Sequence, residues 1–107
     1  MSAIWEIEKR PYDRQLVEVD CSDIIPGNLT IASVSSVTAD NGNLTIDGLF
    51  HSDKSVFAMV SGGDTPTGPN PIRCICRARF ALSDGVQQKE ATFTIVLWDR
   101  PYPYQGQ

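Results

Sequence analysis

The feature that most constrains this chain is a strict alternation of side chains over residues 72–82. One phase of this stretch holds small or apolar residues, namely Ile72, Cys74, Cys76, Ala78 and Phe80. The other phase is more polar and holds Arg73, Ile75, Arg77, Arg79 and Ala81. Because successive side chains of a β-strand point to opposite faces of its sheet, this period of two predicts a long strand with one buried face.

A second alternating run follows after a short connection. Residues 83–85 read Ser-Asp-Gly, which is a strong turn signal. The apolar phase of the run that follows consists of Ala91, Phe93, Ile95 and Leu97. Two alternating runs joined by such a turn predict a long antiparallel hairpin. We therefore expect one core to contain Cys74, Cys76, Phe80, Phe93 and Ile95.

The rest of the chain offers several shorter strands. Residues 29–38 are rich in β-branched side chains, and an Asn-Gly-Asn turn separates them from a short segment at 44–47. Residues 56–60 form another apolar run, and residues 16–20 fit a first strand at a sheet edge. Six or seven short strands with frequent turns predict an all-β, immunoglobulin-like antiparallel β-sandwich.

Size and proline content define the domain organisation. A chain of 107 residues with 41% hydrophobic residues can bury one core. We expect a single domain over residues 14–97, with extended terminal arms at 1–13 and 98–107. Pro11 lies in the first arm, and Pro101 and Pro103 lie in the second. The Gly- and Pro-rich loop at 62–71 is expected to cross from one sheet to the other.

Charge limits the classes of partner. The net charge is −4, from 13 acidic and 9 basic residues, and no block of like charge occurs. A nucleic-acid partner is therefore not expected. The first residues lack the pattern of a signal peptide, and no apolar run reaches the length of a membrane span. The expectation is a protein made in a cytoplasm, with no membrane partner.

Catalytic and metal chemistry find little support in the residue pattern. The one zinc site worth weighing would use Cys21, Cys74, Cys76 and His51, but the Cys-x-Cys spacing is not that of zinc fingers. Free, buried thiols are the favoured interpretation, since Cys74 and Cys76 point the same way along one strand and cannot easily pair. His51 is the only histidine and is expected in a solvated turn. We predict no enzyme activity, no metal and no cofactor.

Two groups of residues are candidates for protein contacts. Along the outer phase of the long strand, Arg73, Ile75, Arg77 and Arg79 form a stripe that is basic and partly apolar. A solvated face, balanced by acids of a neighbouring strand, is the alternative interpretation of this stripe. The second candidate group is aromatic and lies in the C-terminal arm, at Trp98, Tyr102 and Tyr104.

Residues 9–97 resemble a known family, the small immunoglobulin-like fibre-tail adaptors of tailed bacteriophages. The resemblance begins with Lys-Arg-Pro at 9–11 and continues with Val-Asp-Cys-Ser at 19–22 and the strand opening at 28–33. It then includes Val-Ser-Gly-Gly at 60–63 and the final hairpin at 74–85 and 89–96. These motifs belong to the scaffold of the family.

The resemblance implies a non-enzymatic virion protein that joins tail, neck or fibre components through protein contacts. It also implies a homo-oligomer within the particle, with other phage structural proteins as partners and synthesis in the cytoplasm of a bacterial host. One alternative is a capsid decoration protein or a head-to-tail connector. An alternative from another class is a carbohydrate-binding module, because immunoglobulin-like sandwiches often bind sugars. Such a module needs aromatic rings aligned on a rigid face, and the aromatic residues that lie close together in this sequence are in the proline-containing C-terminal arm.

Overall fold

The computed structural model describes residues 6–98, which form seven strands and one short 3-10 turn at Ser22–Ile24. The strands are β1 (Glu6–Lys9), β2 (Gln15–Asp20), β3 (Ile31–Ala39), β4 (Leu44–His51), β5 (Ser55–Gly62), β6 (Ile72–Leu82) and β7 (Gln88–Leu97). The predicted all-β sandwich of six to seven strands is therefore confirmed. Strand β4 is longer than the segment expected at 44–47, and its last residue is His51, which was expected in a turn.

The strands form two sheets whose order is that of an immunoglobulin-like sandwich. One sheet has four strands in the order β1-β7-β6-β3, and the other has three in the order β2-β5-β4. Constant-type immunoglobulin domains pair their strands as ABED and CFG. Lettering β1 to β7 as A to G reproduces both sheets, except that β1 has left β2 and pairs with β7 instead. The connection from β5 to β6 crosses between the sheets, as predicted for the loop at 62–71.

The long hairpin of β6 and β7 forms the centre of the four-stranded sheet. Its register pairs Cys76 with Phe93 and Cys74 with Ile95, so the apolar phases of both strands share the inner face. The five residues predicted to share the core are all buried at this face, at 0–2% exposure: Cys74, Cys76, Phe80, Phe93 and Ile95. The strand periodicity therefore predicted the phase of this sheet correctly.

The three-stranded sheet supplies the opposite wall of the same core. Its inward residues are small and β-branched, and the buried ones are Val17, Val19, Val56, Ala58 and Val60. Strand β2, which the sequence predicts as an edge strand over residues 16–20, lies at a sheet edge, because β5 is its one hydrogen-bonded neighbour among the described strands. Packing of this sheet against the long hairpin excludes water from both inner faces and supplies most of the apolar burial.

The N-terminal arm expected at 1–13 needs a correction, because residues 6–9 are strand β1. This strand runs parallel to β7 and pairs Ile7 with Ile95 and Lys9 with Leu97. Lys9 thus points into the sandwich at 1% exposure, and its ammonium donates hydrogen bonds to the carbonyl oxygens of Gly62 and Arg10. Burial lowers the pKa of Lys9, while nearby Asp13 opposes that shift. Because Lys9 occupies an inward position, the sequence of β1 does not show the alternation of apolar residues that indicates a strand.

Candidate protein-interaction surfaces

The outer face of the four-stranded sheet carries the predicted stripe. Arg73, Ile75, Arg77 and Arg79 all lie on the outward phase of β6. Two of the arginines have acidic partners: Arg79 pairs with Glu90 directly opposite on β7 at 2.7 Å, and Arg73 reaches Glu6 of β1 at 2.5 Å. These two ion pairs are more than half exposed on the arginine side, so each contributes little to stability.

Arg77 differs from the other arginines of the stripe. No acidic side chain within residues 6–98 forms an ion pair with it. Its cross-strand neighbours are Thr38 on β3 and Thr92 on β7, which are uncharged. Ile75, one outward position away along β6, is 40% exposed. Among the described residues, the centre of this face therefore combines an arginine without an ion pair and an exposed aliphatic side chain.

The aromatic group predicted in the C-terminal arm is described only at its first residue. Trp98 follows β7, is half-buried, and its backbone N–H donates to the carbonyl oxygen of Lys9 at 3.1 Å. That bond continues the pairing of β1 with β7 by one residue. Tyr102 and Tyr104 lie outside the described residues. The arm therefore begins at the end of the four-stranded sheet, tied to β1 by Trp98.

A second surface, which the sequence interpretation missed, is the outer face of the three-stranded sheet. It carries four large apolar side chains that point away from the core: Leu16, Phe50, Phe57 and Met59. Leu16 is 53% exposed and Phe50 is 50% exposed, while the other two are partly covered. We call these four residues the apolar face. Contiguous apolar surface on the outside of a sheet is typical of an interface.

Register brings the apolar face together. Met59 of β5 has Leu16 of β2 on one side, and in the next outward row Phe57 has Phe50 of β4 on one side. The rings of Phe50 and Phe57 stack in parallel, with centroids 4.7 Å apart and an interplanar angle of 3°. Such cross-strand aromatic pairs stiffen a sheet face, because each ring fixes the rotamer of the other.

A bulge in β4 positions Phe50 on this face. Asp47 pairs with Met59 and Phe50 pairs with Phe57, so Gly48 and Leu49 together oppose a single residue of β5. Gly48 has a φ of +60°, a conformation that side chains with a Cβ rarely adopt. Without the extra residue, Phe50 would fall on the inward phase of β4. The backbone conformation of Gly48 therefore helps to place the ring of Phe50 on the outer face.

The surroundings of the apolar face are acidic. Arg14 forms an exposed ion pair with Asp47 at 3.3 Å, and Glu18 accepts a hydrogen bond from Ser55 Oγ at 2.9 Å. The backbone N–H of Ser22 holds the pKa of Asp20 below its ordinary value. Three carboxylates against one guanidinium give this surface a formal charge of −2. The two outer faces thus differ in hydrophobicity, while carboxylates lie on both, since Glu6 and Glu90 are on the four-stranded sheet.

One sequence signal could have revealed the apolar face. The run at 56–60 reads Val-Phe-Ala-Met-Val, so it is apolar on both phases of the strand. A strand with only one face against a core needs apolar residues on one phase, and large residues on the other indicate a second contact. The position of Phe50 could not be found this way, because the β4 bulge changes the phase between Asp47 and Phe50.

The residues weighed for metal or nucleophilic chemistry lie apart from both outer faces or are buried. Cys21, Cys74 and Cys76 are free and buried, and burial raises the pKa of Cys21 to about 11 and that of Cys76 to about 12. His51 is exposed, with Nδ1 2.9 Å from the carbonyl oxygen of Ser52. Within residues 6–98, no three His, Cys, Asp or Glu side chains are grouped to hold a metal ion.

No helix within residues 6–98 has the length and apolar character needed to cross a membrane.

Comparison with known proteins identified no relative of this chain. A scan against protein-family models, a search of curated proteins and a search of solved structures each returned no match to this chain.

Proposed function

We propose that this chain is a non-enzymatic structural protein of a tailed bacteriophage, an adaptor that joins tail, neck or fibre components through protein contacts. The proposal rests on the resemblance over residues 9–97 and on one structural observation. That observation is the apolar face, four large apolar side chains on the outside of a sheet in a small sandwich. Such a face loses solvent-exposed apolar area when it is covered by a partner.

A protein contact also fits the packing of the rings within the apolar face. The stacked rings of Phe50 and Phe57 are held on two paired strands, so little side-chain freedom remains to be lost on binding. Aromatic side chains that are already ordered are typical anchors of interfaces for this reason. The polar surroundings, with Arg14, Asp47 and Glu18, match the charged rim that usually encloses such anchors.

The direct test is to locate the chain on the particle. Antibody fragments against the purified protein, conjugated to gold, are applied to intact particles of the phage that encodes it and viewed by electron microscopy. An adaptor is expected as label at one site of each particle, on the tail or neck. Label spread over the capsid would identify a decoration protein, and unlabelled particles with accessible tails would overturn the proposal.

A matched pair of variants tests whether the apolar face makes the contact. Phe50→Lys places a charge in the apolar face, whereas Val86→Lys places the same charge on a residue that is 82% exposed in the β6–β7 turn. We expect Phe50→Lys to lower incorporation into particles about tenfold or more, because a charge in an apolar contact must be desolvated. Val86→Lys is expected to incorporate normally, and equal incorporation of both variants would contradict the role of the face.

A carbohydrate-binding module is the second candidate function, and the rings of Phe50 and Phe57 favour it, since they lie on a rigid sheet face. Parallel stacking uses one face of each ring, which leaves less ring surface for a sugar. A glycan array probed with the wild-type protein and with Phe50→Ala separates the candidates. Binding that depends on Phe50 would support the module and count against the adaptor.

A further inference from the structure

We infer that the apolar face binds the arginine stripe of a second copy of this chain, so that copies associate front to back. This inference rests on the proposed function and names the partner of the apolar face. The two surfaces lie on opposite outer sides of the sandwich, one on each sheet. A single copy can therefore offer the apolar face to one neighbour and the stripe to another.

Charge complementarity is the first argument for this partner. The surroundings of the apolar face carry a formal charge of −2, from Glu18, Asp20 and Asp47 against Arg14. The four-stranded face carries carboxylates of its own: Glu6 and Glu90 pair with two arginines of the stripe, and Asp40 accepts a hydrogen bond from the backbone N–H of Ile75. Arg77 at the centre of the stripe has no ion-pair partner within residues 6–98, so the complementarity is local, between this guanidinium and the carboxylates around the apolar face.

The chemistry of the facing groups is the second argument. Glu18 lies directly beside Phe57 across the β2–β5 pair, so a carboxylate and an aromatic ring are neighbours in one outward row. A guanidinium can stack on an aromatic ring while its N–H groups bond a carboxylate. Arg77 offers that group, and Ile75 beside it offers apolar area to the apolar face. Thr38 and Thr92 beside Arg77 are uncharged, whereas Ile75 has the carboxylate of Asp40 next to it, which accepts a hydrogen bond from the Ile75 backbone N–H.

The size of the contact predicts that it is weak for one pair of copies. Three strands with three outward rows cover on the order of 300 Å² of flat sheet. Stable complexes usually bury roughly 800 Å² on each partner. A head-to-tail contact compensates by repetition, because each copy makes two contacts and a closed ring gains one more than an open chain of the same length. The expected assembly is therefore a concentration-dependent ring or short filament.

The test uses two variants that each break one side of the contact. Leu16→Lys puts a cation in the apolar face, and Arg77→Glu puts an anion in the stripe. Sedimentation velocity of the full chain, from about 10 µM to about 1 mM, covers the range of weak contacts. Wild type is expected to self-associate, and each variant alone is expected to stay monomeric, with a dissociation constant raised about tenfold or more. Val86→Lys serves as the control that self-associates like wild type.

Mixing the two variants is the decisive step. The intact apolar face of Arg77→Glu can bind the intact stripe of Leu16→Lys. The mixture is therefore expected to contain one-to-one complexes that neither variant forms alone. Melting temperatures near that of wild type show that both variants fold, and Phe50→Lys and Arg77→Ala replace either variant that does not.

Three results would overturn the inference. Wild type that stays monomeric throughout the range has no such contact. A mixture that stays monomeric, although wild type self-associates, shows that the two surfaces do not bind each other. Self-association of Arg77→Glu alone, with Leu16→Lys monomeric, shows the apolar face packing on itself in a symmetric dimer. None of these results changes where gold label appears on the particle, so the adaptor proposal is judged separately.

Discussion

The four phenylalanines of this chain divide into two pairs with opposite surroundings. Phe80 and Phe93 lie in the interior at 1–2% exposure, on the two strands of the long hairpin. Phe50 and Phe57 lie outside, on the three-stranded sheet, where they stack on each other. The residue type is the same in both pairs, so strand phase and one bulge decide which rings are buried in the core and which lie on an outer face.

Under the proposed function, this division separates folding from assembly. The interior pair loses its contact with water when the chain folds, and that burial contributes to stability in every copy. The outer pair remains partly in water in the monomer, so under the proposed function its remaining exposed area contributes to association. The following predictions test that separation, because each compares a change in the interior with a similar change on an outer face.

The largest effect is expected for Phe93→Ala. Removal of a fully buried ring leaves a cavity in a core that is closed on both sides, and such substitutions cost about 3–5 kcal/mol of unfolding free energy. Urea unfolding followed by circular dichroism measures the loss. If Phe93→Ala unfolds within about 1 kcal/mol of wild type, the ring is not an essential part of the core and the division between the pairs fails.

The sequence predicted the interior pair because a long regular strand carries its phase through many residues. Inward and outward side chains alternate along the eleven residues of β6, and the apolar residues of β7 pair with the inward ones of β6. The outer pair was missed because its signal is short and interrupted, with Phe50 displaced by the bulge at Gly48. Strand β1 was missed for another reason, since it is short and Lys9 occupies an inward position where an apolar residue would have indicated a strand.

The next largest effect is expected at a buried cation, Lys9. Lys9→Ala removes charge-assisted hydrogen bonds to the carbonyl oxygens of Gly62 and Arg10. It also leaves a cavity where the aliphatic part of the lysine side chain is buried. We expect a loss of about 2–3 kcal/mol. The matched change on an outer face is Arg73→Ala, whose exposed ion pair is worth about 0–1 kcal/mol. Equal losses in denaturant unfolding would show that Lys9 does not anchor β1.

The interior thiols predict a loss of stability in alkali. Folding raises the pKa of Cys21 to about 11 and that of Cys76 to about 12, so between pH 9 and those values the folded state holds protons that the unfolded state releases. The contribution of these thiols is therefore complete below pH 9 and falls as pH rises, by up to about 1.4 kcal/mol per pH unit for each thiol.

Cys76→Ala tests this assignment. Its unfolding free energy at pH 8 is expected to be lower than that of wild type, because a buried sulfur is lost, but its decline between pH 9 and pH 11 is expected to be shallower. Denaturant titrations across this range, with reductant present, measure both quantities. An unchanged slope would mean that groups other than this thiol govern the alkaline response of the interior.

The smallest effect on folding is expected for Phe50→Ala. Phe50 is half exposed, and its main contact in the monomer is the ring of Phe57, a pair worth about 0.5–1.5 kcal/mol beyond area burial. A double-mutant cycle with Phe57→Ala is expected to give a coupling energy in that range, well below the cost of Phe93→Ala. The same Phe50→Ala protein should self-associate more weakly than wild type in sedimentation. If its unfolding free energy falls as far as that of Phe93→Ala, then the outer pair stabilises the monomer as strongly as a core residue does. The partial exposure of these rings would then no longer indicate a binding surface.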